Sequence, residues 1–359
     1  LSESASAKAI ESYERHYGVD NPSKSPIILD RITKSMNKGP SSNELMVSRL
    51  LDSIGMDYLT NDHDIIGQEL DFVIPSRHLA IEVSPVFTHH SNENQVMTVP
   101  PKPMGYHKHK HDEAERHGYE LITLSDPYLT KDRWSTMTAP FIRMKATGTA
   151  SRVLYARNTS ISSVSGDHGR RECMAFIDRN HFKGNTPAME YYAIRDHDGM
   201  MIGAFSLRHR RGLPDDCIEL ARMAWESCTQ VRYGLSKVVH DISRRHPDIH
   251  TLLSFSDNDM GNGLSYDAAG FDYDGDTPPS LHFINPHDPM DSYSWQVATP
   301  WGARNGIISR LIHPMSITKK EAKLIVETRL PHRSDNGHGY FSYYDTGSKR
   351  WLFDLTGIR

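Results

Sequence analysis

ELDFVIPSRHLAIEVSPVFTHHS, residues 69–91, decides how the first part of this chain folds. Two apolar runs, Phe72–Ile74 and Leu79–Ile81, flank the turn-forming segment Pro75–His78, which predicts a β-hairpin. Asp71 stands immediately before the first run and Glu82 immediately after the second, so the hairpin brings the two carboxylates together. Two close carboxylates with no basic partner repel, and a hard divalent cation relieves that repulsion. Mg2+ or Mn2+ is the expected occupant, since magnesium takes one or two carboxylates and keeps its waters for chemistry on a phosphate. His89, His90 and, further on, His107 offer groups to move protons. Either acid alone reads equally well as a solvated strand end, whereas the combination fits phosphodiester hydrolysis.

Upstream, Ser41–Gly55 (SSNELMVSRLLDSIG) reads as an amphipathic helix with a serine cap, a glycine stop and Glu44 in its first turn, placed to add a third oxygen to the metal set. Residues 1–40 form an N-terminal arm broken by NPSKSP and NKGPSS. The Leu start leaves room for processing. Downstream come the Pro-rich VPPKPMG, a helix YHKHKHDEAERHG expected to be solvated and basic, and a strand YELITLS. Helix, strand, strand, helix, strand is an α/β arrangement.

The 359 residues suffice for two domains and a sizeable core. With 41 basic against 45 acidic residues, no global basic field announces nucleic acid. Cys173, Cys217 and Cys228 have no paired spacing, which argues for reduced thiols and against a zinc site. No apolar run reaches the roughly 18 residues of a membrane span, and the first residues lack the apolar stretch of a signal peptide.

ELDFVIP, LAIEVSPVFTHHS and YHKHKHDEAERHGYELITLSD together resemble the Vsr-like branch of the PD-(D/E)XK nuclease superfamily, including phage homing-type endonucleases. The resemblance implies a metal-dependent endonuclease domain over 41–148. It places Asp71 on the metal-binding aspartate, Glu82 on the second-strand acid and His89 on the histidine that handles protons. His107 and Lys110 fall on the pair that holds the phosphate, and Glu44 on the first-helix acid. Ser84-Pro85 and Thr88 depart from the family, which carries Asn-Gly and Trp there.

The remaining chain begins with an amphipathic helix near 174–184 and a hairpin through HDG at 197–199. A strand-like TQVRY then runs through Gly234 into a helix whose start, with Ser236 and Lys237, suits an anion. Gln230–Ser236 and Tyr266–Phe271 resemble the cofactor loop and tail motif of the GNAT acyltransferase fold, closest to GNAT-like domains of phage proteins including the Mom-type base-modification group. That likeness covers about Arg152 to Phe353 and implies a mixed-sheet domain over 149–359. Acyl-CoA would lie near Gly234, Ser236 and Lys237, with Asp257 and Tyr266 near the reacting group.

Toward the end, TGSK between aromatic runs reads as a hairpin. Trp295, Trp301 and Trp351 beside Arg304, Arg310, Lys349 and Arg350 suit either a core or stacking on bases. The resemblances imply a phage-type protein of mixed α/β (α+β) class. It would cut DNA in the host cytoplasm or the virion, with other phage proteins as further partners. The alternatives are an acyltransferase or base-modifying enzyme tethered by the nuclease-like part, and a non-catalytic virion DNA-binding protein.

Overall fold

The structure is a computed structural model that describes residues 39–91, 100–285, 288–294 and 341–358. Most of the expected arm and the Trp295, Trp301, Arg304 and Arg310 stretch lie outside these residues. The chain divides into two compact units, Leu1–Arg49 and Leu50–Arg359. In the first, helix α1 (Ser42–Ser53) begins with a reciprocal cap. The Ser41 amide donates to Glu44 Oε2 at 2.6 Å, and the Glu44 amide donates to Ser41 Oγ at 3.2 Å.

The second unit contains the predicted hairpin. Strands β1 (Leu59–Asp62), β2 (Leu70–Ile74), β3 (Leu79–Ser84) and β4 (Glu120–Ser125) form a sheet in that order. β2 and β3 are antiparallel, with Phe72 opposite Ile81, and β3 and β4 are parallel. Asp71 and Glu82 stand one residue beyond the Phe72–Ile81 pair, at the same end of the hairpin. The turn is a single 3-10 turn, Pro75–Arg77, closed by His78 in a left-handed conformation (φ 49°). A short helix α2 (Val86–His89) follows β3, and α3 (Tyr106–Arg116) packs on the sheet through Ala114. α3 was expected to be solvated. Instead His107, Lys110, His111 and Ala114, the i, i+3, i+4, i+7 stripe, are buried. α4 (Ala139–Thr147) ends at Gly148, whose φ of 68° is a left-handed helix stop.

The larger sheet has the order β12-β16-β11-β9-β8-β7-β6. Its strands are β6 (Ser160–Ser163), β7 (Glu190–Arg195), β8 (Met201–Arg208), β9 (Cys217–Trp225), β11 (Thr251–Asp257), β12 (Asp272–Asp276) and β16 (Ser348–Asp354). β7 and β8 make the expected hairpin, with the Asp196 carboxylate accepting from the amides of Asp198 and Met200. Alternation along the strands separates two cores. Tyr192, Ile194, Phe205 and Leu207 face helix α6 (Gly234–Arg245), and Tyr191, Ala193 and Ala204 face α5 (Gly166–Asn180). α5 starts earlier than the sequence suggested.

β5 (Arg152–Tyr155) and β10 (Thr229–Arg232) pair in parallel as a separate ribbon. A third sheet joins β13 (Leu281–Asn285), β14 (Asp288–Ser294) and β15 (Phe341–Tyr344). The TGSK turn is therefore no hairpin, because β15 pairs with β13 whereas β16 pairs with β11 and β12. All three cysteines are free, and no helix among the described residues is long and apolar enough to cross a membrane. The mixed α/β class expected from the sequence is the class observed.

Candidate functional site

The hairpin acids meet a partner the sequence reading did not give them. Lys110 Nζ lies 2.5 Å from Glu82 Oε1, and the two side chains are 4% and 3% exposed. The premise of two carboxylates without a base is thus corrected: α3, packed by its buried stripe of His107, Lys110, His111 and Ala114, delivers a lysine to Glu82. Burial raises the Glu82 carboxyl above its usual value, and Lys110 pulls against that rise. Asp71 Oδ2 accepts the Val83 amide at 2.6 Å, which fixes its carboxylate alongside β3.

Around this pair lie polar atoms that are buried and have no hydrogen-bond partner among the described residues. They are Glu82 Oε2, Ser84 Oγ, His89 Nδ1 and His107 Nδ1. Buried polar atoms are nearly always satisfied, so these atoms, together with both ring nitrogens of His111 on the same helix as His107, are unusual in lacking a hydrogen-bond partner among the described residues. The His89 and His107 rings stack at 5.0 Å between centroids. Burial, then the neighbouring His107 and Lys110, drives His89 down to about 2. Burial and Lys110 drive His107 down to about 4. Both rings are therefore neutral bases at ordinary pH. His90 is fully buried and packs edge-on to Phe341 of β15 at 5.8 Å.

Among the described residues no group of three His, Cys, Asp or Glu side chains is arranged to hold a metal. A divalent ion would rest on Asp71 and the unpartnered Glu82 Oε2 and keep its own waters, a donor set that suits magnesium. Glu44, expected to join it, spends its carboxylate on the cap of α1.

The larger sheet carries a second concavity. β9 and β11 pair only through Thr251–Leu253 against Cys217–Glu219 and then diverge, leaving a cleft of about 390 Å³. Its walls include Trp225, Phe255, Asp257 and Tyr266, while Phe141 and Met144 of α4 close another side. Tyr266 is held by a 3.0 Å hydrogen bond to Ser254. Trp225 fits because Gly203 and Gly234 have no Cβ, which would come within 2.6 and 2.5 Å of its ring.

Of the other residues expected here, Gly234 and Ser236 open α6, and Lys237 follows them. The Lys237 ammonium donates to the carbonyls of Ala156 (2.7 Å) and Thr159. Sequence reasoning missed Lys183. Its Nζ lies 3.2 Å from Asp257 and 3.6 Å from both Asp259 and Asp345, with His282 Nε2 2.9 Å from Asp345. Burial opposes the charge on Lys183, but the three carboxylates outweigh it and hold its pKa well above the ordinary value. Burial pushes Asp257 up to about 6, with Lys183 opposing. No local pattern unites residues so far apart in sequence.

No protein-family profile and no curated protein matches this chain. Among solved structures, the catalytic domain of the homing endonuclease I-Bth0305I is similar over 30% of this chain and 97% of that domain, at 23% identity and a TM-score of 0.23. A Bacillus subtilis acetyltransferase in complex with CoA is similar over 55% of this chain and 98% of its own, at 13% identity and a TM-score of 0.29. The ribosomal-protein-S18-alanine N-acetyltransferase from Escherichia coli covers 55% of this chain and 94% of its own, at 9% identity and a TM-score of 0.28. These likenesses assign no activity.

Proposed function

We propose that the chain hydrolyses phosphodiester bonds in DNA at the cluster of Asp71, Glu82, His89, His107 and Lys110, as a phage-type endonuclease acting in the host cytoplasm or the virion. The observation that carries this reading is the buried Glu82–Lys110 pair ringed by unpartnered polar atoms, with Asp71 at the same end of the hairpin. Asp71 and Glu82 would hold Mg2+ or Mn2+, which when bound supplies charge to the phosphate and acidifies a water. Lys110 opposes the rise that burial imposes on the Glu82 carboxyl and fixes its orientation. His89, neutral and with Nδ1 unpartnered, would take the proton from the attacking water, and the imidazolium so formed then has that proton to pass to the leaving oxygen. His107, stacked on it, sets the plane of that ring and offers its own free nitrogen to the phosphate. On this reading residues 41–148 form the hydrolytic part and 149–359 the second, with Gly148 at the joint.

Supercoiled plasmid incubated with the chain in Mg2+ or Mn2+, with a chelator as control, tests this. Nicked or linear product that the chelator abolishes is expected, and intact plasmid under both metals would overturn it.

The cleft between β9 and β11 favours a second reading, acyl transfer from acyl-CoA, with Asp257 as proton acceptor and Tyr266 beside the reacting group. Calorimetric titration with acetyl-CoA tests that reading separately.

A further inference from the structure

We propose that Tyr155, Arg157, Arg232 and Tyr233 form a stacking platform for an unpaired DNA strand. The inference rests on the DNA reading above and names a second contact surface for the same partner. Tyr155 and Arg232 are opposed in the β5–β10 ribbon, which brings the end of one strand beside the end of the other. The Arg232 guanidinium donates to the Tyr155 hydroxyl at 3.2 Å and lies 5.6 Å from its ring, and the Arg157 guanidinium lies 5.2 Å from the same ring. Neither arginine is paired with a carboxylate among the described residues, so the patch keeps two positive charges.

Beside them Tyr233 is 75% exposed and holds a left-handed φ of 61°. A bulky residue pays to adopt that conformation and glycine does not, so an exposed tyrosine there is costly to the fold. Single exposed aromatics need no explanation. This one stands in a strained conformation next to a second exposed ring and two unneutralised guanidinium planes. That is the equipment for stacking bases while neutralising phosphates. The first turn of α6 follows directly, with no side-chain cap on its amides.

The shape decides between a polymer and a small nucleotide. Small ligands take concave sites that bury most of their surface, and none of the four residues lines the 390 Å³ cleft. An open platform instead suits a strand that continues past it, one base to each plane.

The test is fluorescence anisotropy of a labelled oligothymidylate with the intact chain, in chelator so that nothing is cut. Tyr233→Ala is expected to weaken binding at least fivefold, as loss of one stacked base does, and Tyr233→Trp to bind like the parent. Tyr233→Gly is expected to weaken binding equally while raising the melting temperature, because glycine relieves the backbone; a merely structural tyrosine would not separate the two readouts. The proposal is overturned if Tyr233→Gly binds the strand as tightly as the parent. It is also overturned if coenzyme A displaces the strand at the concentrations at which coenzyme A itself binds, which would make the patch the seat of the coenzyme's nucleotide end. Failure of the hydrolytic reading looks different: plasmid stays intact while the anisotropy loss in Tyr233→Ala persists.

Discussion

Replacing Lys110 by methionine strips the Glu82 carboxylate of its counter-charge while leaving the volume nearly unchanged. In the parent the two groups are 2.5 Å apart and 4% and 3% exposed, so no water replaces the lost ammonium. Breaking a buried pair from one side costs about 3–5 kcal/mol, mostly from the charge left behind. The sign of the pH dependence follows. Burial already raises Glu82 above 4.5, and without Lys110 the folded-state value rises further. Between the unfolded value and that folded value the native state holds the extra proton, so stability falls as pH rises, by about 1.4 kcal/mol per unit. Lys110→Met should therefore melt close to the parent near pH 4.5–5 and roughly 5–10 °C below it at pH 8. Glu82→Gln added to Lys110→Met should recover most of the loss, since removing both charges leaves no stranded ion. Thermal unfolding followed by circular dichroism at the two pH values reads this directly. A deficit independent of pH, or a double variant no better than the single, would refute the buried-pair account.

The stacked histidines predict the opposite acid behaviour. With folded values of about 2 for His89 and about 4 for His107, the unfolded chain binds more protons below about pH 6.5, so stability is lost as pH falls from there toward 4; His89→Gln with His107→Gln should flatten that fall in urea melts at stepped pH. Gly234→Ala would drive a Cβ to 2.5 Å from the Trp225 ring, and a loss of about 1–3 kcal/mol with altered tryptophan emission is expected. Ser41→Ala removes one half of the α1 cap and should cost about 1 kcal/mol of helix stability, measured by amide exchange over residues 42–53.

The hairpin and its acids were legible because period, turn residues and strand length agreed within 69–84, and a two-strand ladder then leaves no freedom in which residues oppose. Lys110 was legible only as a position. The polar composition of YHKHKHDEAER suggested a solvated helix, and the buried stripe of α3 emerges only once Ala114 and the two histidines are read at helical spacing against the sheet. The TGSK turn was misread because turn chemistry fixes a reversal of the chain and not which sheet each flanking strand joins. Lys237 was legible as a residue at a helix start, and nothing in its neighbourhood in sequence announces the carbonyls of Ala156 and Thr159. The Lys183 cluster gathers residues from 183 to 345, a closure that only the tertiary fold performs.

The most direct measurement is the rate of plasmid nicking in Mg2+ by the parent and by Asp71→Asn, each checked for an unchanged melting temperature. The parent is expected to cut, and the variant, folded but missing one of the two hairpin carboxylates, to lose cutting by about two orders of magnitude or more. Equal rates for the two proteins would contradict it and remove the hairpin acids from the chemistry.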